Sequence, residues 1–198
     1  MPGVQNGKLA EHSVQLPLNR AITLEEILHH TKAAARARPR AMVVADMPYL
    51  TYEVSPMDAA RNAGRLLKEG SSDAVKVRGG QAILRSIEEI VRAKVPVMGH
   101  LDYSLAAIGA GKDKLASRDR HEKINQEAKK LQETGCFALI VEGMPKDLVR
   151  SLARSMSIPV IGLKSGPFGD GQVIFTEELI VARLGPLIKK VMAEPSRN

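Results

Sequence analysis

The sequence predicts an α/β fold built on a parallel sheet, and three observations carry that expectation. Short apolar runs rich in Val, such as residues 41–48 and 73–80, close on charged residues or glycine, the pattern of strands buried on both faces. The amphipathic segment 56–68 joins those two runs and is long enough to cross back over a sheet, which makes a βαβ unit. Aromatic residues are only 3% and Trp is absent, so Val, Ile, Leu, Ala and Met must fill the interior, which suits α/β layers better than a sandwich.

Residues 1–20 mix Gly, Asn, Gln, Ser and Pro with no sustained period and predict an irregular arm or a strap across the surface. Thr23, followed by Leu24-Glu25-Glu26, has the spacing of a capping box, so a helix is expected from there to about Ala37, ahead of Pro39. After the 41–80 unit the pattern predicts a helix over 81–92 and a strand over 95–99 that ends in His100. Residues 101–117 carry two Gly and no clear period, and read as a loop with at most a short helix. A charged helix follows over 118–133, with Ile124, Ala128 and Leu131 on one face. Residues 137–141 read as a strand that delivers Glu142 to its end. Pro145 then opens a helix to Met156, and 158–162 is the next strand. A turn-rich loop at 166–171, a short extended segment at 172–175 and a closing helix over 177–192 complete the series. Five strands are expected, or six with the last segment.

With 198 residues and 44% hydrophobic content, the chain fits one globular domain, placed at residues 21–198 behind the arm at 1–20. The lone Cys136 excludes a disulfide framework and reads as a buried small hydrophobe. Net charge is +7, which favours nucleic acid, acidic lipid or an acidic protein as a partner and admits an RNA-containing assembly. The Lys and Arg residues are nevertheless interspersed with acids, as on solvated helix faces, and three Tyr and three Phe leave little material for stacking on bases. No run approaches the length of a membrane span, and residues 1–20 have neither a secretory nor a transit-peptide pattern, so the cytoplasm is expected, with the mitochondrial matrix as the alternative.

In a parallel α/β sheet the chemistry gathers just past the carboxyl ends of the strands. Asp46, Lys76, Arg78, His100 and Glu142 all fall at such ends. Two readings stand for each. Asp46 caps the turn before Met47-Pro48 or belongs to a site; Lys76, inside an apolar run, is rarely buried without a partner. Glu142 is a surface acid or a site acid, and Arg78 is expected to pair with Asp46 or Glu142. Gly79-Gly80 is a weak phosphate-loop signal and more often a turn, and His29, His30 and His121 are expected on exposed helix faces.

These residues also carry a resemblance. Val-Ala-Asp46-Met-Pro-Tyr, Asn62-Ala63 with Leu66-Leu-Lys-Glu-Gly70, Asp73-Ala-Val-Lys76 before Gly79-Gly80, and Val95-Pro-Val-Met-Gly-His100 resemble ketopantoate hydroxymethyltransferase, from about Leu16 to Gln172. The resemblance implies a metal-dependent (β/α)8 barrel of which this chain carries an incomplete version, without counterparts for the first strands. It implies magnesium and methylenetetrahydrofolate as cofactors if the activity survives, with Asp46 as one of three metal-binding carboxylates. It also implies Lys76 and His100 as substrate contacts and Glu142 as the general base. Two departures bear on that chemistry. The family pattern Lys-x-Glu-Gly-Gly reads Lys76-Val-Arg78-Gly-Gly here, which puts a guanidinium where a ligand carboxylate belongs, and the loop after His100 has lost most of the family's Gly-Leu-Thr-Pro-Gln and Lys-Val-Gln-Gly signature. The expected function is therefore a catalytically impaired homologue acting as a structural or interaction subunit, with an active hydroxymethyltransferase or a metal-free carboxylate-binding module as alternatives. Residues 1–20, a partner protein or a second copy is expected to cover the open barrel edge.

Overall fold

A computed structural model of the chain describes residues 22–37, 40–104 and 117–182. Six parallel strands form one sheet in sequential order: β1 (Val44–Asp46), β2 (Ala74–Arg78), β3 (Val97–Asp102), β4 (Ala138–Glu142), β5 (Val160–Leu163) and β6 (Gly171–Gln172). Helices α1 (Leu24–Arg36), α2 (Pro56–Lys68), α3 (Leu84–Arg92), α4 (Ser117–Thr134) and α5 (Lys146–Ser155) alternate with them. Sequential parallel order with a helix in each of the first four crossovers is the arrangement of a barrel wall. Among the described residues the wall is open between β1 and β6. No helix among them is long and apolar enough to cross a membrane.

Local signals set the helix limits. Thr23 caps α1 through its side chain, which accepts from Glu26 N at 3.2 Å, while the Glu26 carboxylate accepts from Thr23 N at 2.7 Å, so the capping box is complete. Ser55 caps α2 with Pro56 behind it, and Pro145 precedes α5. A 3-10 turn, Gln81–Ile83, leads into α3. The helices lie on one face of the sheet and bury it completely: Val75, Val77, Val97, Leu139, Val141 and Val160 are closed to solvent against Leu66, Ile87, Ile90, Leu131 and Leu152. Ile124, Ala128 and Leu131 form the buried stripe of α4, as their spacing predicts. Cys136 is buried in the same core, and burial pushes its thiol up to about 12.

Several expectations need correction. The loop expected over 101–117 starts late, because Leu101 and Asp102 continue β3; residues 105–116 lie outside the described residues, as do the arm at 1–20 and most of the closing helix, which is helical over 176–182. β5 begins at Val160, two residues after the expected start, since Pro159 supplies only its carbonyl, to Leu139 N at 2.9 Å. His121 is half-buried, its ring 5.9 Å from that of Tyr103, whereas His29 and His30 are exposed. Gly79-Gly80 forms a turn, in line with the expectation: Gly79 has φ 143°, and a side chain at Gly80 would collide with the Glu127 carboxylate, whose Oε1 accepts from Gln81 N at 3.5 Å.

Core position and exposure separate two substitutions. Ile90→Ala removes a fully buried side chain between α3 and the sheet, and should lower the urea unfolding free energy by about 2–5 kcal/mol. Met42→Ala, at a position 56% exposed, should change it by less than about 0.5 kcal/mol in the same titration.

Candidate functional site

Strand register assembles the site. Asp46 pairs with Lys76, Arg78 with His100, and Asp102 with Glu142 as neighbours across adjacent strands. Because side chains alternate along a strand, Asp46, Lys76, Arg78, His100, Asp102 and Glu142 all project from the face opposite the helices, at the carboxyl ends. The sequence-predicted residues are thus brought together on one rim.

They form two ion-paired groups. Lys76 Nζ lies 2.8 Å from Asp46 Oδ2, which gives this half-buried lysine its partner. Arg78 Nη2 donates to Glu142 Oε2 and to Asp102 Oδ2, the latter at 3.1 Å. Of the two carboxylates expected for Arg78, the geometry therefore selects Glu142, and Asp46 is taken by Lys76. His100 is buried, and its Nε2 stands 3.1 Å from the same Glu142 oxygen, off the line of an ideal hydrogen bond. Burial lowers the His100 pKa below its ordinary value and leaves the ring neutral near pH 7. His100 and Arg78 together hold Glu142 well below the usual carboxylate range, at about 2. Three carboxylates thus face two fixed cations, leaving one excess negative charge.

Two contributors were not legible in the sequence. Asp102 fell in the segment read as a loop; its signal was the alternation His100-Leu101-Asp102, which continues the strand for two residues. Tyr52 is buried in the turn after β1, and its hydroxyl donates to Arg78 O at 3.0 Å and accepts from Arg78 N at 3.2 Å, clamping the end of β2. Asn62 holds that turn in place by donating to Thr51 O at 2.8 Å, which gives a structural role to the Asn62-Ala63 motif.

The fold and this rim define a protein of the α/β-barrel class with a polar site at the carboxyl ends of its strands. The chain belongs to the ketopantoate hydroxymethyltransferase family, whose model matches residues 9–191, beyond both ends of the resemblance read from the motifs. It is 46% identical over 162 residues to the 3-methyl-2-oxobutanoate hydroxymethyltransferase of Moorella thermoacetica, covering 80% of this chain and 60% of that one. The protein of the same name from Pyrobaculum aerophilum is 40% identical over 168 residues, with 83% and 64% covered. The chain thus spans about three fifths of the length of these relatives. Among solved structures, a candidate phosphonomutase from Burkholderia cenocepacia J2315 matches with a TM-score of 0.57 at 15% identity, covering 91% of this chain and 77% of that one. The carboxyl transferase domain of Rhizobium etli pyruvate carboxylase matches at 0.52 and 13%, covering 69% and 25%. At those identities the likeness is one of fold.

The divalent cation that the family implies does not fit the side chains on this rim. Magnesium requires several oxygen ligands. Here Asp46 is committed to Lys76, and the guanidinium of Arg78 lies against the other two carboxylates. Among the described residues no three His, Cys, Asp or Glu side chains are grouped to hold a metal ion.

The ordinary Glu carboxyl titrates near 4.5 and that of Glu142 at about 2, so its folded-state contribution to stability is complete above about 4.5 and is lost as pH falls to about 2. Denaturant titrations of wild type and Glu142→Gln should therefore differ most at neutral pH, and the gap should close across that acid window.

Proposed function

We propose that this chain is a catalytically impaired member of its family that serves as a structural or interaction subunit of a larger assembly. One observation carries the reading: Arg78 is bonded to Glu142. The hydroxymethyl transfer named for the relatives needs a carboxylate free to take a proton from the carbon beside a keto group, with a cation to stabilise the enolate that results. Glu142 is held at a pKa of about 2 by His100 and Arg78, which makes it a weak base. Of the two cations on the rim, Lys76 is paired with Asp46 and the Arg78 guanidinium is shared by two acids.

The interaction role is supported by where apolar surface is left open. Every exposed large hydrophobic side chain among the described residues falls in the segments that flank one of the two edge strands in sequence. Met42, Leu50, Val54 and Met57 accompany β1, and the others fall between Ile174 and Val181, after β6. Apolar surface gathered at open sheet edges is what a second copy or a protein partner covers.

A second reading, an active 3-methyl-2-oxobutanoate hydroxymethyltransferase, is favoured by the 46% identity to the Moorella thermoacetica enzyme and by the proximity of Lys76, His100 and Glu142. Thermal unfolding with magnesium and 3-methyl-2-oxobutanoate, alongside a turnover assay with 5,10-methylenetetrahydrofolate, separates the two. A ligand that binds only the native state raises its stability. No shift and no product are expected; a saturable shift with turnover would make the chain an enzyme.

Light scattering on the full chain tests the interaction role. Association beyond the monomer is expected, and Phe175→Asp or Met57→Asp should reduce it without loss of circular dichroism. A wild-type monomer that captures no partner, or an assembly indifferent to both substitutions, would contradict it.

A further inference from the structure

Arg78 could be held in place by either of the acids it touches, and the rim geometry distinguishes them. Glu142 Oε2, the oxygen that meets Arg78, is also the one that faces His100, so that oxygen serves two neighbours from a longer, more flexible side chain. Asp102 is anchored independently. Its Oδ1 accepts from Ser104 N at 2.7 Å and from the Ser104 hydroxyl, closing a turn on the backbone two residues ahead, while Oδ2 is left for Arg78. The Asp102 side chain is only 12% exposed, so its ion pair is shielded from the solvent that weakens surface pairs. Arg78 itself supplies little further restraint, because its Nε is buried without a hydrogen-bond partner. The orientation of the guanidinium therefore depends on the partners of Nη2, and of those only Asp102 is fixed by bonds that do not involve the site.

We propose that Asp102 is the positioning residue for Arg78: it seats the guanidinium between the ends of β2, β3 and β4 and thereby holds it against Glu142. Asp102 acts through Arg78 and takes no proton. The assignment goes beyond the question of turnover, since it concerns which acid fixes the guanidinium and holds for an impaired or an active chain.

Side-chain NMR of the full-length protein labelled with 15N-arginine tests it. The Arg78 guanidinium resonance, identified by its loss in Arg78→Lys, should exchange with water about tenfold more slowly than those of exposed arginines, as a charge-assisted bond in a shielded pair requires. Asp102→Asn keeps the shape and the turn to Ser104 but removes the charge. It should bring Arg78 exchange to the rate of exposed arginines and shift the 13C titration of the Glu142 carboxyl. Asp102→Glu should recover part of the protection. Ser104→Ala, which leaves the backbone bond to Asp102 intact, should leave Arg78 protected and controls for a general loosening of the turn. Retained protection in Asp102→Asn together with its loss in Glu142→Gln would assign the role to Glu142 and overturn the proposal; an Arg78 resonance as labile as exposed arginines in wild type would overturn it as well. Absence of turnover bears on neither outcome, so this test and that of the impaired-enzyme reading fail separately.

Discussion

A guanidinium placed between two carboxylates at the open end of a parallel sheet is the constraint on which the rest of this site depends. Arg78 joins the ends of three adjacent strands, β2 through its own backbone, β3 through Asp102 and β4 through Glu142. Burying one partner of such a group without the others would leave an uncompensated charge, which is strongly destabilising. Tyr52 below and the Gly79 turn beyond fix the backbone that presents Arg78, so the ion pair and the strand end reinforce one another. Lys76 and Asp46 form a separate pair one register step away, and each cation on the rim is answered by an acid of the chain itself.

This electrostatic closure is what the proposed loss of family chemistry rests on. The fold rests on the outer face of each strand, where Val75, Val77, Val97, Leu139 and Val141 pack under the helices. The chemistry needs the inner face, where one change of residue type alters what can be bound. The base at 78 and the acid at 102 are remote in sequence but meet as one contact. Without Asp102 the two cations and two carboxylates of the rim would already balance; Asp102 gives Arg78 a second acidic partner beside Glu142.

Much of the fold could be read directly from the sequence because its signals are local. The Thr23 capping box, Pro56 behind Ser55 and the spacing of Ile124, Ala128 and Leu131 each depend on residues within a turn or two of one another. The clustering of Asp46, Lys76, Arg78, His100 and Glu142 was legible for a related reason, since βα units collect strand ends on one rim. The choice of partners was not, because pairing depends on register between strands: Lys76 stands beside Asp46, and Arg78 reaches across to Asp102 and Glu142. Asp102 was hidden by the glycines that follow it, which made the end of β3 look like the beginning of a loop. Tyr52 was hidden because a buried tyrosine in a turn has no periodic signature, and its partner is a backbone group 26 residues away.

The central proposal is that a side-chain cation takes the place of a metal ion on this rim. Anomalous diffraction from crystals soaked in manganese, a scattering substitute for magnesium, tests it most directly. The account predicts no manganese peak among Asp46, Asp102 and Glu142 and a guanidinium still in contact with Glu142. An ordered ion coordinated by Asp46 and further oxygens, with Arg78 displaced, would contradict it.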